Sequence, residues 1–210
     1  MKPASDTDLP VSANNPCPFL RALVASGRLA DDSEPLGRVA EVIVQVARGG
    51  EGRPALPKAA ILGIAAIANG VGPLAVLRAR QQGLRLNALR DGPLDKHGVG
   101  SGILNSHGVV DTKALARLGS YAVPKIAMDG SSEAGLALPE LRRFMDDNFK
   151  RAAGRRRLVD RALMNGEWPV LLKVMGRDGP GGRFLSLQEV EALFVSRRLP
   201  ERMRQATKRA

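Results

Sequence analysis

The chain has 210 residues, of which 44% are hydrophobic but only 3% aromatic, and its formal net charge is +11. Its core must therefore consist mainly of aliphatic side chains, which favours helices over the aromatic and β-branched strands of a sandwich. The single cysteine excludes an internal disulfide.

Apolar periodicity and Gly/Pro breaks predict a single helical domain. Residues 1–15 are polar and are expected to be disordered, residues 16–200 form the domain, and residues 201–210 form a basic tail. The expected fold is an all-α bundle of about eight helices. Helices are predicted at 18–26, 36–48, 57–68, 73–82, 111–118, 139–164, 169–175 and 187–196. The glycine-rich residues 83–110, which include both histidines, are predicted to form a long loop with a functional role.

The apolar stretch 59–77 is the segment closest in character to a membrane span. Asn69, Gly70, Gly72 and Pro73 interrupt it before about 18 continuous apolar residues accumulate. The N-terminal residues also lack the basic and then apolar layout of a secretion signal. We therefore expect a cytoplasmic protein without a membrane partner.

Cys17 stands between Pro16 and Pro18 at the start of an apolar segment that is predicted to be helical. Proline suits the first position of a helix, which would make Cys17 the N-cap residue. There the unpaired N–H groups and the helix dipole favour the thiolate, which is a metal ligand or a nucleophile. The alternative is a half-buried cysteine that acts only as a small hydrophobic residue.

A dense group of basic residues lies in the longest predicted helix. It consists of Lys150, Arg151, Arg155, Arg156, Arg157 and Arg161. Such a run is usually a solvated helix face. Nucleic-acid binding is the alternative, but the sequence has no helix-turn-helix, zinc-ligand spacing or interleaved aromatic residues to support it. Nucleic acid is therefore not the expected partner.

Two motifs resemble the heme-thiolate peroxidases, the family of chloroperoxidase and the fungal peroxygenases. In the first, Pro16-Cys17-Pro18 precedes Leu20, Leu23, Gly27 and Leu29 at the family's spacing, with Arg21 where the family prefers asparagine. In the second, Glu167 is followed by Gly176, and the chain then runs from Val190-Glu191 to Arg198-Leu199-Pro200. The resemblance implies a chloroperoxidase-like helical fold around heme b, bound at Pro16, Cys17 and Pro18, with the Cys17 thiolate on the iron.

The same resemblance implies that Glu167 is the acid-base catalyst that moves a proton between the oxygens of hydrogen peroxide. Family members place an arginine one or two helical turns before this glutamate, and Arg161 is the corresponding candidate here. The alternative is that Glu167, two residues before Pro169, merely precedes a helix and interacts with its positive end.

The middle motif of the family supplies a cation site beside a heme propionate. The best match begins at His107, with Asp111 at the position of the cation-binding glutamate and Lys113 at the position of an acid. The resemblance thus implies that His107, Asp111 and Lys113 lie at the heme, with Mg²⁺ bound through Asp111 or replaced by Lys113. A competing alignment begins at His97, and an exposed histidine without a function is the alternative for either.

These observations predict a peroxidase or peroxygenase that uses hydrogen peroxide to oxidise a small organic substrate. A second hypothesis keeps the fold and the heme but not the catalysis, as in a heme-binding or heme-sensing protein. A third is a basic helical module that binds nucleic acid through residues 151–161.

Overall fold

This computed structural model describes residues 9–48, 57–70, 72–90, 92–95, 101–151 and 158–206, without the side chains of 158–165 and 205–206. Nine α-helices and three β-strands lie within these residues. The helices are α1 (Pro18–Ala25), α2 (Leu36–Arg48), α3 (Lys58–Ala68), α4 (Pro73–Gln82), α5 (Thr112–Gly119), α6 (Leu138–Arg151), α7 (Leu158–Met175), α8 (Leu187–Val195) and α9 (Glu201–Ala206). The strands are β1 (Val123–Ile126), β2 (Ser132–Ala137) and β3 (Phe184–Ser186).

The all-α prediction is wrong, because the three strands form an antiparallel sheet in the order β1-β2-β3. The nine helices of the described residues and this sheet therefore make the fold mixed rather than all-α. Val123 pairs with Gly135 and Ile126 with Ser132 across the first hairpin, whose turn contains Asp129-Gly130. Gly130 has φ +81°, a left-handed conformation that glycine adopts without steric cost.

Local sequence explains where several helices begin. Pro18 and Pro73 occupy the first turns of α1 and α4, where a proline has no N–H to leave unpaired. Asp111 caps α5 by accepting hydrogen bonds from Lys113 N–H and Ala114 N–H, and Ser186 caps α8 through Glu189 N–H. Most of the predicted helices therefore occur close to their predicted bounds.

The region around α6 and α7 departs from the prediction. The expected helix 139–164 appears as α6, which ends at Arg151, and as the first part of α7, while residues 152–157 lie outside the described part. The expected helix 169–175 is the second part of α7, because Gly166 and Pro169 are inside this helix rather than at its boundary. Burial of Trp168 and Met175 in the core offsets the cost of an interior proline.

Segments predicted to be irregular also pack against the domain. Residues 9–15 are held by hydrogen bonds from Leu9 N–H to the Ala25 carbonyl and from Ser12 N–H to Asp31, where the sequence predicts disorder. α9 occupies part of the predicted basic tail, and its Met203 is fully buried. Within 83–110, Leu86 lies in a 3-10 turn and is fully buried, as is Ile103.

The core contains a row of four aromatic rings, from the turn before β1 and from α6, α7 and α8. Tyr121 meets Phe144 edge-on at 5.6 Å between centroids, Phe144 meets Trp168 at the same distance, and Trp168 stacks on Phe194 at 6.2 Å. Such contacts add to the stabilisation from burial alone. Four of the seven aromatic residues of the chain thus lie in one row.

Over the described ranges, no single helix is long and apolar enough to cross a membrane. α3 and α4 together reach that length and composition, but they are bent by 112° at the break between them.

Candidate functional site

A cavity of about 440 Å³ lies among α1, α2, α3, α7 and α8. Aliphatic side chains such as Ile43, Ile61 and Val174 form most of its wall, and Trp168 and Phe194 supply aromatic surface. Cys17, Asp95 and Glu167 are the ionisable side chains among the described residues that line it. Cys17 and Glu167, which the two sequence motifs single out, therefore share one apolar cavity.

Cys17 is the N-cap residue of α1, as its prolines predict, and it is half-buried. Its N–H donates to the side-chain oxygen of Asn15 at 3.2 Å, and its carbonyl accepts from Arg21 N–H at 2.9 Å. The N–H groups of Phe19 and Leu20 precede this first helical bond and so belong to the unpaired amides of the helix start. The Cys17 side chain accepts no capping hydrogen bond from these amides and packs against the apolar core, so the influence of α1 on its sulfur is limited to the positive end of the helix dipole.

Arg21 fixes the segment that carries Cys17. Its guanidinium donates to the carbonyls of Ser12 at 2.8 Å, Asn15 at 3.2 Å and Gly108 at 3.3 Å. Burial is the largest influence that lowers the pKa of Arg21 from its ordinary value, and the neighbouring Arg197 and Arg90 lower it further, while Asp31 raises it. This arginine is therefore an internal clamp between two loops and α1.

Glu167 lies inside α7, more than two turns from its N-terminus at Leu158. The alternative that it only precedes a helix does not agree with this position. Its neighbour Trp168 is 3% exposed, and Pro169, two residues on, lacks the N–H that would complete the helical bond to the carbonyl four residues before it. Glu167 itself is half-buried at the cavity wall.

The partner predicted for Glu167, Arg161, belongs to α7, but its side chain lies outside the described part of the structure. Asp95 is a wall residue that the sequence did not indicate. It closes a turn in which its N–H donates to the Gly92 carbonyl at 3.0 Å. A Gly-Pro pair three residues before it predicts such a turn, but no local pattern predicts which cavity the turn would face.

His107, Asp111 and Lys113 are exposed and are not among the residues that line the cavity. His107 N–H and Val109 N–H both donate to the side chain of Asn105 at 2.9 Å, in a loop closed by the Leu104–Val110 bridge. Asp111 uses its carboxylate to cap α5. The competing residue His97 lies outside the described residues.

Within the ranges that the structure describes, no three His, Cys, Asp or Glu side chains form a group that could hold a metal ion. The carboxylate of Asp111 is accounted for by backbone N–H groups, as expected for a helix cap. The geometry around Asp111 therefore offers no support for the expected Mg²⁺.

The basic run is described only at its start. Lys150 pairs with Asp147 at 3.3 Å, and Arg151 donates to Asn148 at 3.2 Å and to the Tyr121 hydroxyl at 3.4 Å. Two of these partners belong to α6 itself, and Tyr121 lies in the turn before β1. Lys150 and Arg151 are exposed, as expected for a solvated helix face. Residues 155–157 lie outside the described part.

Comparison of the chain with protein-family models, curated proteins and solved structures found no match. The resemblance to the heme-thiolate peroxidases therefore depends on the motifs at Cys17 and Glu167.

Proposed function

We propose that the chain binds heme b in the 440 Å³ cavity through the Cys17 thiolate and uses hydrogen peroxide to oxidise a small organic substrate. The observation that carries this proposal is the meeting of Cys17 and Glu167, far apart in the sequence, on the wall of one apolar cavity. A cysteine at a helix start and a glutamate in a second helix are the two groups that the family motifs require.

The apolar wall suits the macrocycle of a cofactor such as heme, whereas none of the described lining residues is a cation that could pair with the heme propionates. The volume of the cavity lies within the range of about 300–1,000 Å³ for small-molecule and cofactor sites. An apolar cavity of about 150 Å³ is already large enough to bind benzene, and this one is larger and carries one potential thiolate ligand. Heme held by a thiolate supplies the chemistry that favours cleavage of the O–O bond of a peroxide.

The protein's own groups supply charge control, proton transfer and selectivity. In this proposal the positive end of the α1 dipole favours the Cys17 thiolate, and Arg21 keeps the segment around it fixed. Glu167, on a largely apolar wall, can accept and return a proton near a bound peroxide. The shortage of ionisable lining groups favours an uncharged, apolar substrate.

A heme-binding protein without catalysis is the second candidate. The placement of His107, Asp111 and Lys113 on an exposed loop and helix start favours it, because the family's cation site has no counterpart on the cavity wall among the described residues. The two candidates share the Cys17 ligand and differ in the role of Glu167.

The first experiment reconstitutes the purified chain with hemin and records the spectrum of the ferrous protein with carbon monoxide. We expect the red-shifted band of a thiolate ligand, and we expect Cys17→Ala to abolish it. Ser186→Ala, which alters the N-cap of α8 instead, is the matched control and should keep the band. A wild-type chain that takes up no heme, or an unchanged band in Cys17→Ala, contradicts the proposal.

The second experiment separates the two candidates. Glu167→Gln should retain heme and its spectrum but lose roughly 10²–10⁴-fold in the rate of reaction with peroxide. Glu191→Gln, at an exposed position of α8, should react at the wild-type rate. Equal rates for wild type and both variants would favour the protein without catalysis.

A further inference from the structure

A long part of the chain carries positive charge only. Residues 52–90 contain no aspartate or glutamate, although the whole chain has 21 acidic residues. The basic residues in this part are Arg53, Lys58, Arg78, Arg80, Arg85 and Arg90. α3 and α4 both belong to it. Lys58 pairs with Glu41 of α2 at 3.0 Å. The Arg90 guanidinium donates to the Ala13 and Asn105 carbonyls, so the charge available to a partner lies mainly on α4. That partner is therefore expected to be negatively charged.

α4 also exposes apolar side chains. Leu74 is 71% exposed and Leu77 49%, and Ala79 is the one buried residue of the helix. Leu74, Leu77 and Gln81 follow the i, i+3, i+7 spacing and so lie on one face. By the same helical geometry, Arg78 and Arg80 lie on opposite borders of that face. The face thus has an apolar centre between two cations.

The two helices are too short and too strongly bent to cross a bilayer. α3 has 11 residues and α4 has 10, which at 1.5 Å per residue gives each a length of about 15 Å, half of a hydrocarbon core of about 30 Å. The 112° bend between them prevents a continuous span. An orientation of the helices parallel to the surface of a bilayer agrees with both their short length and the bend between them.

We propose that the exposed face of α4, formed by Leu74, Leu77, Gln81, Arg78 and Arg80, docks on the surface of an anionic phospholipid bilayer. The leucines enter the boundary between headgroups and acyl chains, and the arginines extend toward the lipid phosphates. The sequence predicts no membrane partner, because residues 59–77 are interrupted before they can form a span, whereas docking on a bilayer surface requires no span.

Charge and chemistry favour a bilayer over other occupants. A second copy of the chain placed symmetrically on this face would bring the arginines of the two copies close to one another, which is unfavourable. A nucleic acid would pair with the arginines but would leave Leu74 and Leu77 without an apolar partner. An anionic bilayer satisfies both features at once.

The test measures sedimentation of the full chain with vesicles of phosphatidylcholine alone and with added phosphatidylglycerol. We expect binding that rises with the anionic fraction. The double variant Leu74→Ser/Leu77→Ser should weaken it at least about tenfold. Arg78→Gln/Arg80→Gln should weaken it by roughly 30-fold, at about one kcal/mol per cation near the surface.

Matched controls make the same chemical changes elsewhere. Met128→Ser and Val195→Ser alter residues that are 71% and 59% exposed, and Arg142→Gln/Arg143→Gln removes two exposed cations from α6. All should bind anionic vesicles within about threefold of wild type, because removal of equal charge at another face leaves the docking face intact.

Three results would overturn the proposal. The first is wild-type vesicle binding by the leucine variant with a native circular dichroism spectrum. The second is dimerisation in solution that depends on Leu74 and Leu77, with no vesicle binding, which indicates self-association. The third is tight binding of a short duplex DNA or RNA that depends on Arg78 and Arg80, with no vesicle binding. None of these measurements requires heme.

Discussion

The sheet is tightly packed and carries ion pairs, whereas the cavity is open and its wall is almost free of charge. Around the sheet, Arg177 binds Glu133 and Asp129, and a Cβ added at Gly135 would lie 2.5 Å from the ring of Phe184. Around the cavity, about 440 Å³ is left open and the walls are almost entirely apolar. Because the same chain packs one region tightly, the cavity is a local feature of the helices near Cys17 rather than a sign of a loose core.

The aromatic row includes two residues that line the cavity, Trp168 and Phe194, and it should respond most strongly to truncation. Phe144 is fully buried between Tyr121 and Trp168, so Phe144→Ala should lower the free energy of unfolding by about 3–5 kcal/mol. Phe194→Ala should cost less, because Phe194 already borders the cavity. Urea denaturation of both variants tests this order, and equal losses would mean that the cavity is not open in solution.

Removal of the Arg21 clamp should act on the cavity region alone. Arg21→Gln leaves the carbonyls of Ser12, Asn15 and Gly108 short of a buried donor, and we expect a loss of about 2–3 kcal/mol in the free energy of unfolding. Loss of the clamp should also release the segment around Cys17, so that its alkylation by iodoacetamide becomes faster. Cys17 is the single thiol, so the reaction reports on this position alone. Arg38→Gln, at an exposed position of α2, is the control. An unchanged alkylation rate in a destabilised Arg21→Gln would show that Arg21 does not fix Cys17.

A small side chain added to the sheet should be more harmful than one added to the helices. Gly135→Ala should destabilise by about 1–3 kcal/mol, since the new methyl group also lies 2.8 Å from Lys125. Gly63→Ala in α3 meets no atom within 4 Å and should stabilise by about 0.5–1 kcal/mol. Thermal unfolding of the two variants measures whether each change lowers or raises stability. An unchanged unfolding temperature for Gly135→Ala would contradict tight packing at the sheet.

Acid should weaken the contacts that Glu140, in the first turn of α6, makes with Ala137 and Lys125 of the sheet. Burial raises the pKa of Glu140, but the hydrogen bond from Ala137 N–H at 2.8 Å and Lys125 at 3.3 Å outweigh it and leave the pKa below its ordinary value. Such a carboxylate contributes stability that is fully present above its pKa in the unfolded chain and is lost as the pH falls through the folded-state pKa.

The corresponding variant measures this contribution. Glu140→Gln should cost about 1–2 kcal/mol at pH 7, and the difference from wild type should shrink below about pH 4. Unfolding by urea at several pH values tests it, with the exposed Glu191→Gln as the control. A difference that stays constant down to pH 3 would assign the loss to packing rather than to charge.

Patterns among neighbouring residues predict most of the helices and the position of Cys17 at a helix start. Glycine and proline fixed the bounds of α2 and α4, and the two prolines around Cys17 indicated an N-cap because this placement depends only on adjacent residues. Gly166 and Pro169 gave a misleading break, since burial of Trp168 in the core outweighs the local cost within α7.

The sheet and the cavity wall depend on contacts between distant residues. Strands of three to six residues are too short to show a clear alternation of apolar and polar residues. Asp129-Gly130 is a typical hairpin turn, but the low aromatic content of the chain argues against strands on either side of it. Asp95 could not be predicted at the cavity, because only the folding of its turn against the helices brings it there.

The position of α9 has a consequence for the order of folding. Arg202 binds the last carbonyl of α7 at Met175 and also Glu189 at 2.7 Å, while α9 packs against α2. Contacts between elements so far apart in sequence form slowly, because the intervening chain must first be brought together. During synthesis, the helices around the cavity therefore gain these contacts only after α9 has been made.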